Sequence, residues 1–476
     1  MEPREYDVAI IGAGVIGLFI AYELSKFNAS IVVIEREAEL GFGVSKGHAG
    51  VIHVVQPPFN SLKSVLAVYG NRLYDSVAGE LGVSMVRLPA LLVARSRIQM
   101  ALLPVVYAFL RLVYGLRGFK VSIIGGGGLR RLEPNIEGYG AVMVEGYGVI
   151  DSFELIYRLY DKCRARGVEF MFNVEARDIK VEDGHIVIET SRGPVKARYA
   201  VNSAGLNSDM LASKTGARET IEPSLGVMVV FDKLQAKSIV APLPSLKPSR
   251  TKGGGIIPTA WGNTIWGPSF APTTSRESRG VKAEDVIEVI RKFKGLVRVK
   301  GRPIKAYAGV RPSTPRGDFS IKYSPLTSRV INLVGIESPG LTAAPAIALI
   351  VLGMLKAVGL KLERAREPSE TPRTISTRAM LALDPSKVTG YYGVIICQCM
   401  NVSLADVIEA VRGGASTLDG VMFRTKLGMG SCQGQHCLGR AIVSVLKLTG
   451  QSPGSLTKSG EGSWLVEELH MGRPGS

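Results

Sequence analysis

The sequence predicts an α/β fold in three parts, on three observations. A glycine-rich turn joins a buried-strand pattern to a helix at the N-terminus. Alternating strand patterns return to that unit after residue 167. Four of the five cysteines fall within 41 consecutive residues near the C-terminus. A chain of 476 residues holds two to four domains at ~100–200 residues each. With 46% hydrophobic and 21% charged residues it can bury a generous core, which excludes a mainly disordered protein.

The first element is the strand Asp7–Ile11, followed at once by Gly12-Ala-Gly14-Val-Ile-Gly17 and a helix through Leu24. A second strand, Ser30–Ile34, ends at Glu35. This is the G-x-G-x-x-G fingerprint in strand–turn–helix context, the start of a Rossmann-like dinucleotide unit. Gly12 permits the tight turn, Gly14 lets main-chain N–H groups approach a pyrophosphate, and Gly17 allows close helix–strand packing. The helix N-terminus adds partial positive charge. Glu35 stands where a carboxylate takes the ribose hydroxyls, and its charge disfavours a 2′-phosphate.

The fingerprint alone does not separate FAD from NAD; the later elements do. In a nicotinamide dehydrogenase the Rossmann units continue in series, whereas this chain leaves after Ile34. It returns through Val168–Val174, Ala176–Val181, His185–Thr190 and Val195–Ala200, which read as a β-meander with turns at Asp183-Gly184 and Arg192-Gly193. The last strand runs into the small-residue turn Asn202-Ser-Ala204-Gly205.

The cysteines come as Cys397-Gln-Cys399, a 32-residue spacer, and Cys432-Gln-Gly-Gln-His-Cys437. Five cysteines in this length exclude a disulfide scaffold, and such a cluster reads as a metal site. Four thiolates suit soft metals, so a [2Fe–2S] cluster and structural zinc are both readings, with C-x-C less usual for zinc. Gly428, Gly430 and Gly434 leave main-chain N–H groups for the sulfurs, and Cys437 opens a helix, Leu438–Leu448, whose dipole favours thiolate. Cys163, in the helix Phe153–Arg166, reads as a buried small apolar residue.

Residues 5–360 resemble the FAD-dependent family related to D-amino-acid oxidase and glycerol-3-phosphate dehydrogenase. The residues that carry this are the GAGVIG turn with Glu35, Val201–Gly205, Tyr307–Pro312 and Gly335–Thr342. Gly47–His53, Ser61–Lys63, Gly70–Arg72 and Arg316–Asp318 are most similar to type-2 glycerol-3-phosphate oxidases and dehydrogenases, with L-2-hydroxyglutarate dehydrogenases next. One departure is His48-Ala49-Gly50, where these families often have Asn-Ser-Gly. Residues 391–450 resemble the bacterioferritin-associated-ferredoxin-like [2Fe–2S] domain, which implies a cluster on Cys397, Cys399, Cys432 and Cys437.

The resemblance implies FAD held by Gly12, Gly14, Gly17, Glu35, Ala204, Gly205, Gly335, Gly340, Leu341 and Thr342. It places His48 and His53 beside the isoalloxazine. His53 is expected as the proton acceptor, because imidazole accepts protons near neutrality. His48 is expected as a flavin neighbour or attachment site. Arg311, which follows an apolar strand ended by Pro312, is expected to grip the substrate anion with its two-pronged fork. Lys252, before Gly253-Gly254-Gly255, is a second candidate. The helix after Ser338-Pro-Gly-Leu-Thr342 is expected to point its N-terminus at the flavin.

The expected organisation is a discontinuous FAD-binding domain (1–80, 141–215, 320–360), a mixed-sheet α+β substrate domain (81–140, 216–319), a linker (361–390), a small helical cluster domain (391–455) and a loosely attached tail (456–476). Net charge is +17 without a run of six basic residues or a nucleic-acid motif, so no nucleic-acid partner is expected. The apolar stretches Ile98–Leu110 and Ala343–Leu355 are shorter than a spanning helix needs, and no secretory pattern opens the chain. A cytoplasmic protein is expected, peripheral to the inner face of a membrane at most; oligomerisation stays open. The expected function is oxidation of sn-glycerol 3-phosphate, with electrons leaving through the cluster to a quinone, dye or partner subunit. L-2-hydroxyglutarate, amino or imino acids such as proline, and a non-catalytic electron-transfer subunit are the alternatives.

Overall fold

The computed structural model describes residues 5–182, 184–243, 253–278, 280–366 and 376–466. Strand Glu5–Ile11 is the centre of the first sheet. It pairs in parallel with Ile31–Ile34 on one side and Val195–Asn202 on the other. Helix Val15–Leu24 is apolar almost all round, and that is why it lies buried rather than on the surface. The sheet has eight strands. Ala176–Glu182, His185–Thr190 and Val195–Asn202 form the antiparallel meander. Val168–Val174 does not join it. Its strand, Glu169–Met171, pairs in parallel with Ile31–Ile34 instead. A short apolar run carries no mark of which sheet edge it will take.

The second sheet has nine strands and is mixed, as expected: Ala90–Ala94 pairs in parallel with Ile239–Pro242, the rest in antiparallel. Gly140–Val144 pairs with Ala90–Ala94 and Val121–Gly125, so the chain returns to the first sheet only after Val144, not at 141. Strand Pro303–Ser313 pairs along its length with Glu222–Phe231. It runs two residues past Arg311, because Pro312 sits opposite Pro223 without ending the ladder. Trp266, Phe231 and Phe293 fill the core beneath this sheet. Helix Arg97–Gly115 packs Leu103, Leu110 and Tyr114 beneath it and leaves its other side exposed.

Two helices are longer than the sequence suggested, at 19 and 18 residues: Arg97–Gly115 and Gly340–Ala357. Both are long and apolar enough to cross a membrane by length and composition. Gly340–Ala357 is instead a core helix, packed against Val15–Leu24 and Leu62–Leu81. The crossing with Leu62–Leu81 is close because Gly70 has no side chain: a Cβ there would run into the Thr342 carbonyl oxygen.

The described chain divides into two units: Met1–Glu35 with Gly41–Pro368, and Arg36–Leu40 with Ser369–Ser476. The second unit is built on helices Leu404–Arg412, Leu418–Thr425 and Leu438–Thr449 around Val407, Leu418, Leu427 and Val445. Helix Thr377–Leu383, inside the expected linker, belongs to this unit, where the Thr377 and Ser403 hydroxyls lie 2.6 Å apart. The tail is not loose up to 466. Leu456 is fully buried, Lys458 pairs with Asp419 at 2.9 Å, and Thr457 bridges Trp464. The Glu39 carboxylate accepts the Ser416 and Thr417 N–H groups at 2.9 and 3.2 Å, at the start of helix Leu418–Thr425. Burial pushes its pKa up against those bonds.

Candidate functional site

The glycine-rich turn is shaped as its spacing requires. Gly12 has φ +101°, and a Cβ there would come within 2.7 Å of the Ser203 carbonyl oxygen. The Ser203–Gly205 turn is thus packed against the fingerprint, and the Ser203 hydroxyl donates to Ile11 O at 2.8 Å. A Cβ on Gly17 would run into the Gly12 carbonyl oxygen. Gly14 starts helix Val15–Leu24 with no side chain of its own, and the first helical N–H, that of Val15, is taken by the Ser45 hydroxyl at 3.0 Å. These features fit a pyrophosphate. Glu35 is buried and accepts the Ala13 N–H at 2.7 Å, which holds the acid against the turn. Gly17→Ala is therefore expected to yield protein that keeps its far-ultraviolet circular dichroism but purifies without a flavin absorption band. Wild-type flavin content would remove the close-packing role.

The segment from Gly47 to His53 threads between two elements. At one end Gly47 lies on Gly309: a Cβ on Gly309 would come within 2.7 Å of the Gly47 carbonyl oxygen. The Tyr307 hydroxyl donates to His48 O at 3.1 Å. At the other end His53 N–H donates to Thr342 Oγ1 at 3.0 Å, and Asn71 Nδ2 donates to His53 O at 2.7 Å. The His53 main chain is therefore pinned on both sides. Its ring meets Tyr147 edge-on at 6.0 Å, and Nδ1 lies 2.8 Å from Gln56 Nε2. Burial lowers the His53 pKa to about 4. His48 is lowered to about 4 for the same reason; its Nδ1 accepts Gly50 N–H at 3.3 Å, while its buried Nε2 has no hydrogen-bond partner among the described residues.

Arg311 lies opposite Ser224 in the paired strands, with its guanidinium over Gly226, where a Cβ would collide with it. Its hydrogen bonds among the described residues are two long ones, to Leu225 O at 3.5 Å and Ser269 O at 3.4 Å. Burial lowers its pKa, and the Glu337 charge partly offsets that. Sequence reasoning missed Lys292. Its ammonium donates to Gly253 O, and burial lowers its pKa, with Glu288 opposing and Arg311 adding to the fall. A lysine on a charged helix looks like a solvated one, so no local signal marks it. Lys252 lies outside the described residues. Glu337 and Lys63 form a buried ion pair at 3.3 Å, and the Ser313 hydroxyl donates to Glu337 at 2.7 Å.

Gly340, Leu341 and Thr342 begin their helix buried, with no side-chain cap, and Gly335 takes φ +76° beside Thr314. The structure thus brings Thr342 and His53 into direct contact, and separately joins Gly12 to the Ser203–Gly205 turn.

In the second unit Cys397 and Cys437 are buried, Cys432 is half-buried and Cys399 exposed. Cys399 and Cys432 sulfurs lie 3.7 Å apart, and Cys397 adds to the upward shift of Cys437. Among the described residues no three His, Cys, Asp or Glu side chains surround one point as for a single ion. Four cysteine thiols are the donor set that a [2Fe–2S] cluster takes. The loop packs closely on Cys399 and Leu438 only because it lacks side chains: a Cβ on Gly430 would strike Cys399, and one on Gly434 would strike Leu438. Burial pushes the Cys437 thiol up to about 12, outweighing the helix dipole expected to lower it. The His436 main-chain N–H instead lowers Cys432. Cys437→Ser is expected to abolish iron and acid-labile sulfide in anaerobically purified protein while leaving the flavin band. Stoichiometric zinc in the wild type would replace the cluster.

A parallel-sheet dinucleotide site joined to a second sheet that carries cations, with a four-thiol unit following, defines a redox enzyme of the flavin class. The chain belongs to the FAD dependent oxidoreductase family, whose model matches residues 7–353, and it carries a BFD-like [2Fe-2S] binding domain at residues 395–447. It is an FAD-dependent oxidoreductase that binds FAD and a [2Fe–2S] cluster. It is 30% identical to a glycerol 3-phosphate dehydrogenase from Caloramator mitchellensis, over 97% of this chain and 98% of that one. It is 29% identical to a mitochondrial L-2-hydroxyglutarate dehydrogenase from Nematostella vectensis, over 45% of this chain and 51% of that one. Its fold matches the dithionite-reduced L-α-glycerophosphate oxidase of Mycoplasma pneumoniae with FAD bound, at TM-score 0.71 and 24% identity, covering 78% and 100% of the two chains.

Proposed function

We propose that this enzyme oxidises sn-glycerol 3-phosphate to dihydroxyacetone phosphate. The observation that carries the reading is Arg311: a half-buried guanidinium with two long bonds to carbonyls and, among the described residues, no carboxylate at ion-pair distance. Its neighbour Lys292 adds a second charge of the same sign. Burial lowers both cations and Arg311 lowers Lys292 further; an anion relieves this, and a phosphate suits the guanidinium fork. The full-length likeness to a glycerol 3-phosphate dehydrogenase supports the choice of anion.

Bound FAD supplies the acceptor for the hydride leaving the substrate's secondary carbon. Gly12, Gly14, Gly17 and the Ser203–Gly205 turn hold its pyrophosphate, Glu35 faces its ribose, and the Gly340–Thr342 helix start supports the ring. His53 Nε2 takes the hydroxyl proton as the carbonyl forms. For that, Nδ1 must carry the other hydrogen and donate it to an oxygen, so the Gln56 amide, whose Nε2 faces Nδ1 at 2.8 Å, must turn its Oε1 there; the amide orientation selects the working tautomer. Thr342 and Asn71 position His53 and take no proton. The [2Fe–2S] cluster supplies one-electron transfer toward a quinone, dye or redox partner.

Anaerobic mixing with a substrate panel tests this. Glycerol 3-phosphate is expected to bleach the flavin band. Bleaching by L-2-hydroxyglutarate or proline alone would make the anion a carboxylate. Bleaching by none would make the isolated chain an electron-transfer subunit.

A further inference from the structure

Helix Arg97–Gly115 presents to solvent what soluble proteins bury. Ile98, Leu102, Val105, Phe109, Leu112 and Leu116 recur at intervals of four and three and form one continuous stripe. All six are exposed, Ile98, Val105 and Leu116 by 76%, 68% and 78%. The stripe runs roughly 27 Å at the helical rise per residue. The helix is not a spare core element, since Leu103, Leu110 and Tyr114 already bury its other side. A surface helix with one buried face normally carries charged residues on the other. Here no charged residue stands between Arg97 and Arg111.

The stretch of chain that carries the stripe has charges of one sign. From residue 81 to 132 the sequence has no Asp or Glu, while Arg87, Arg95, Arg97, Arg111, Arg117, Lys120, Arg130 and Arg131 carry positive charge. Arg87 is neutralised by Asp75 and Lys120 by Glu145. Arg95, Arg97 and Arg111 stay exposed at the ends and along the edge of the helix, and no salt bridge engages them among the described residues.

We propose that this face docks on an anionic lipid bilayer, the apolar stripe entering the boundary between headgroups and acyl chains and the arginines meeting lipid phosphates. An interfacial helix needs this combination of one apolar face and flanking cations. The heptad-like spacing would also serve packing against a second copy. Charge decides between them. Two copies would bring Arg95, Arg97 and Arg111 together with no acid between residues 81 and 132 to pair them, on chains of net charge +17, whereas an anionic membrane supplies the complement. One face of the helix stays packed on the sheet, so it lies on the membrane and does not cross it. The proposal is independent of which substrate the enzyme oxidises.

Co-sedimentation of the full-length holoenzyme with vesicles tests it. Binding is expected to vesicles of equal parts phosphatidylglycerol and phosphatidylcholine, to weaken at least roughly tenfold in 0.5 M salt, and to be absent with phosphatidylcholine alone. The double variant Val105→Glu/Leu112→Glu is expected to lose vesicle binding while keeping wild-type flavin content and a wild-type elution volume. As a second readout, Phe109→Trp is expected to shift its emission to the blue on the anionic vesicles. The proposal is overturned if the wild type ignores anionic vesicles, or if the double variant still binds them. It is also overturned if the double variant turns a dimer into a monomer without changing vesicle binding, since the stripe would then be a contact between copies.

Discussion

Replacing His53 by alanine is expected to slow anaerobic flavin reduction ~10²–10⁴-fold while FAD stays bound, the usual cost of losing a general base. The ring does not hold the fold at this point. The main chain of residue 53 is fixed by Thr342 and Asn71, and both bonds survive in alanine. Stopped-flow reduction by glycerol 3-phosphate at saturating substrate measures the effect, and an unchanged rate would take His53 out of the mechanism. The pH profile separates a base from a spacer. An ordinary histidine begins to lose its proton-accepting form below about 6.5. Burial holds His53 at about 4, so the neutral imidazole persists through neutrality and the reduction rate should stay level from about pH 8 down to about 5, falling below that. The alanine variant should lack that acid limb. The same shift bears on stability. Between the unfolded value of 6.5 and the folded value of about 4, the unfolded chain binds a proton that the native one does not, so His53 and His48 each make the protein less stable as pH falls through that window.

What could be read from the sequence followed the range of the interactions. The N-terminal strand, turn and helix were legible because a fingerprint of six residues carries its own geometric requirement, which the structure meets at Gly12 and Gly17. The four cysteines were legible for the same reason. Strand Glu169–Met171 was not. Its partner, Ile31–Ile34, lies more than 130 residues earlier, and alternation within a run says nothing about so distant a neighbour. Gly140–Val144 went to the wrong sheet on the same ground. In the site, His53 and Arg311 stood out by residue type beside unusual neighbours. Lys292 did not, because its half-burial is created by strands far away in sequence. Gln56, which sets the tautomer of His53, looked like one more polar loop residue.

Arg311→Lys is expected to lower kcat/KM for glycerol 3-phosphate by roughly 10- to 150-fold, the equivalent of ~1.5–3 kcal/mol for a lost charge-assisted hydrogen bond. The substitution keeps the charge, so a site that needed only a cation would hardly notice it. The geometry says that more is needed. The guanidinium lies over Gly226, where any side chain would meet it, and its long bonds to Leu225 and Ser269 leave donors for a ligand. Lysine has a single ammonium on a rotatable stem and cannot present two parallel donors to one phosphate. The loss should fall mainly on KM if the anion is gripped equally before and during reaction, and on kcat if the grip also aligns the carbon with its acceptor. Gly226→Ala supplies an independent check, since it displaces the fork without altering any charge and should weaken the substrate in the same direction. Both variants should keep FAD, because neither residue lies in the glycine-rich turn. Wild-type kinetics in Arg311→Lys would show that charge alone suffices, with Lys292 as the next residue to test. Wild-type kinetics in both variants would place the substrate anion elsewhere.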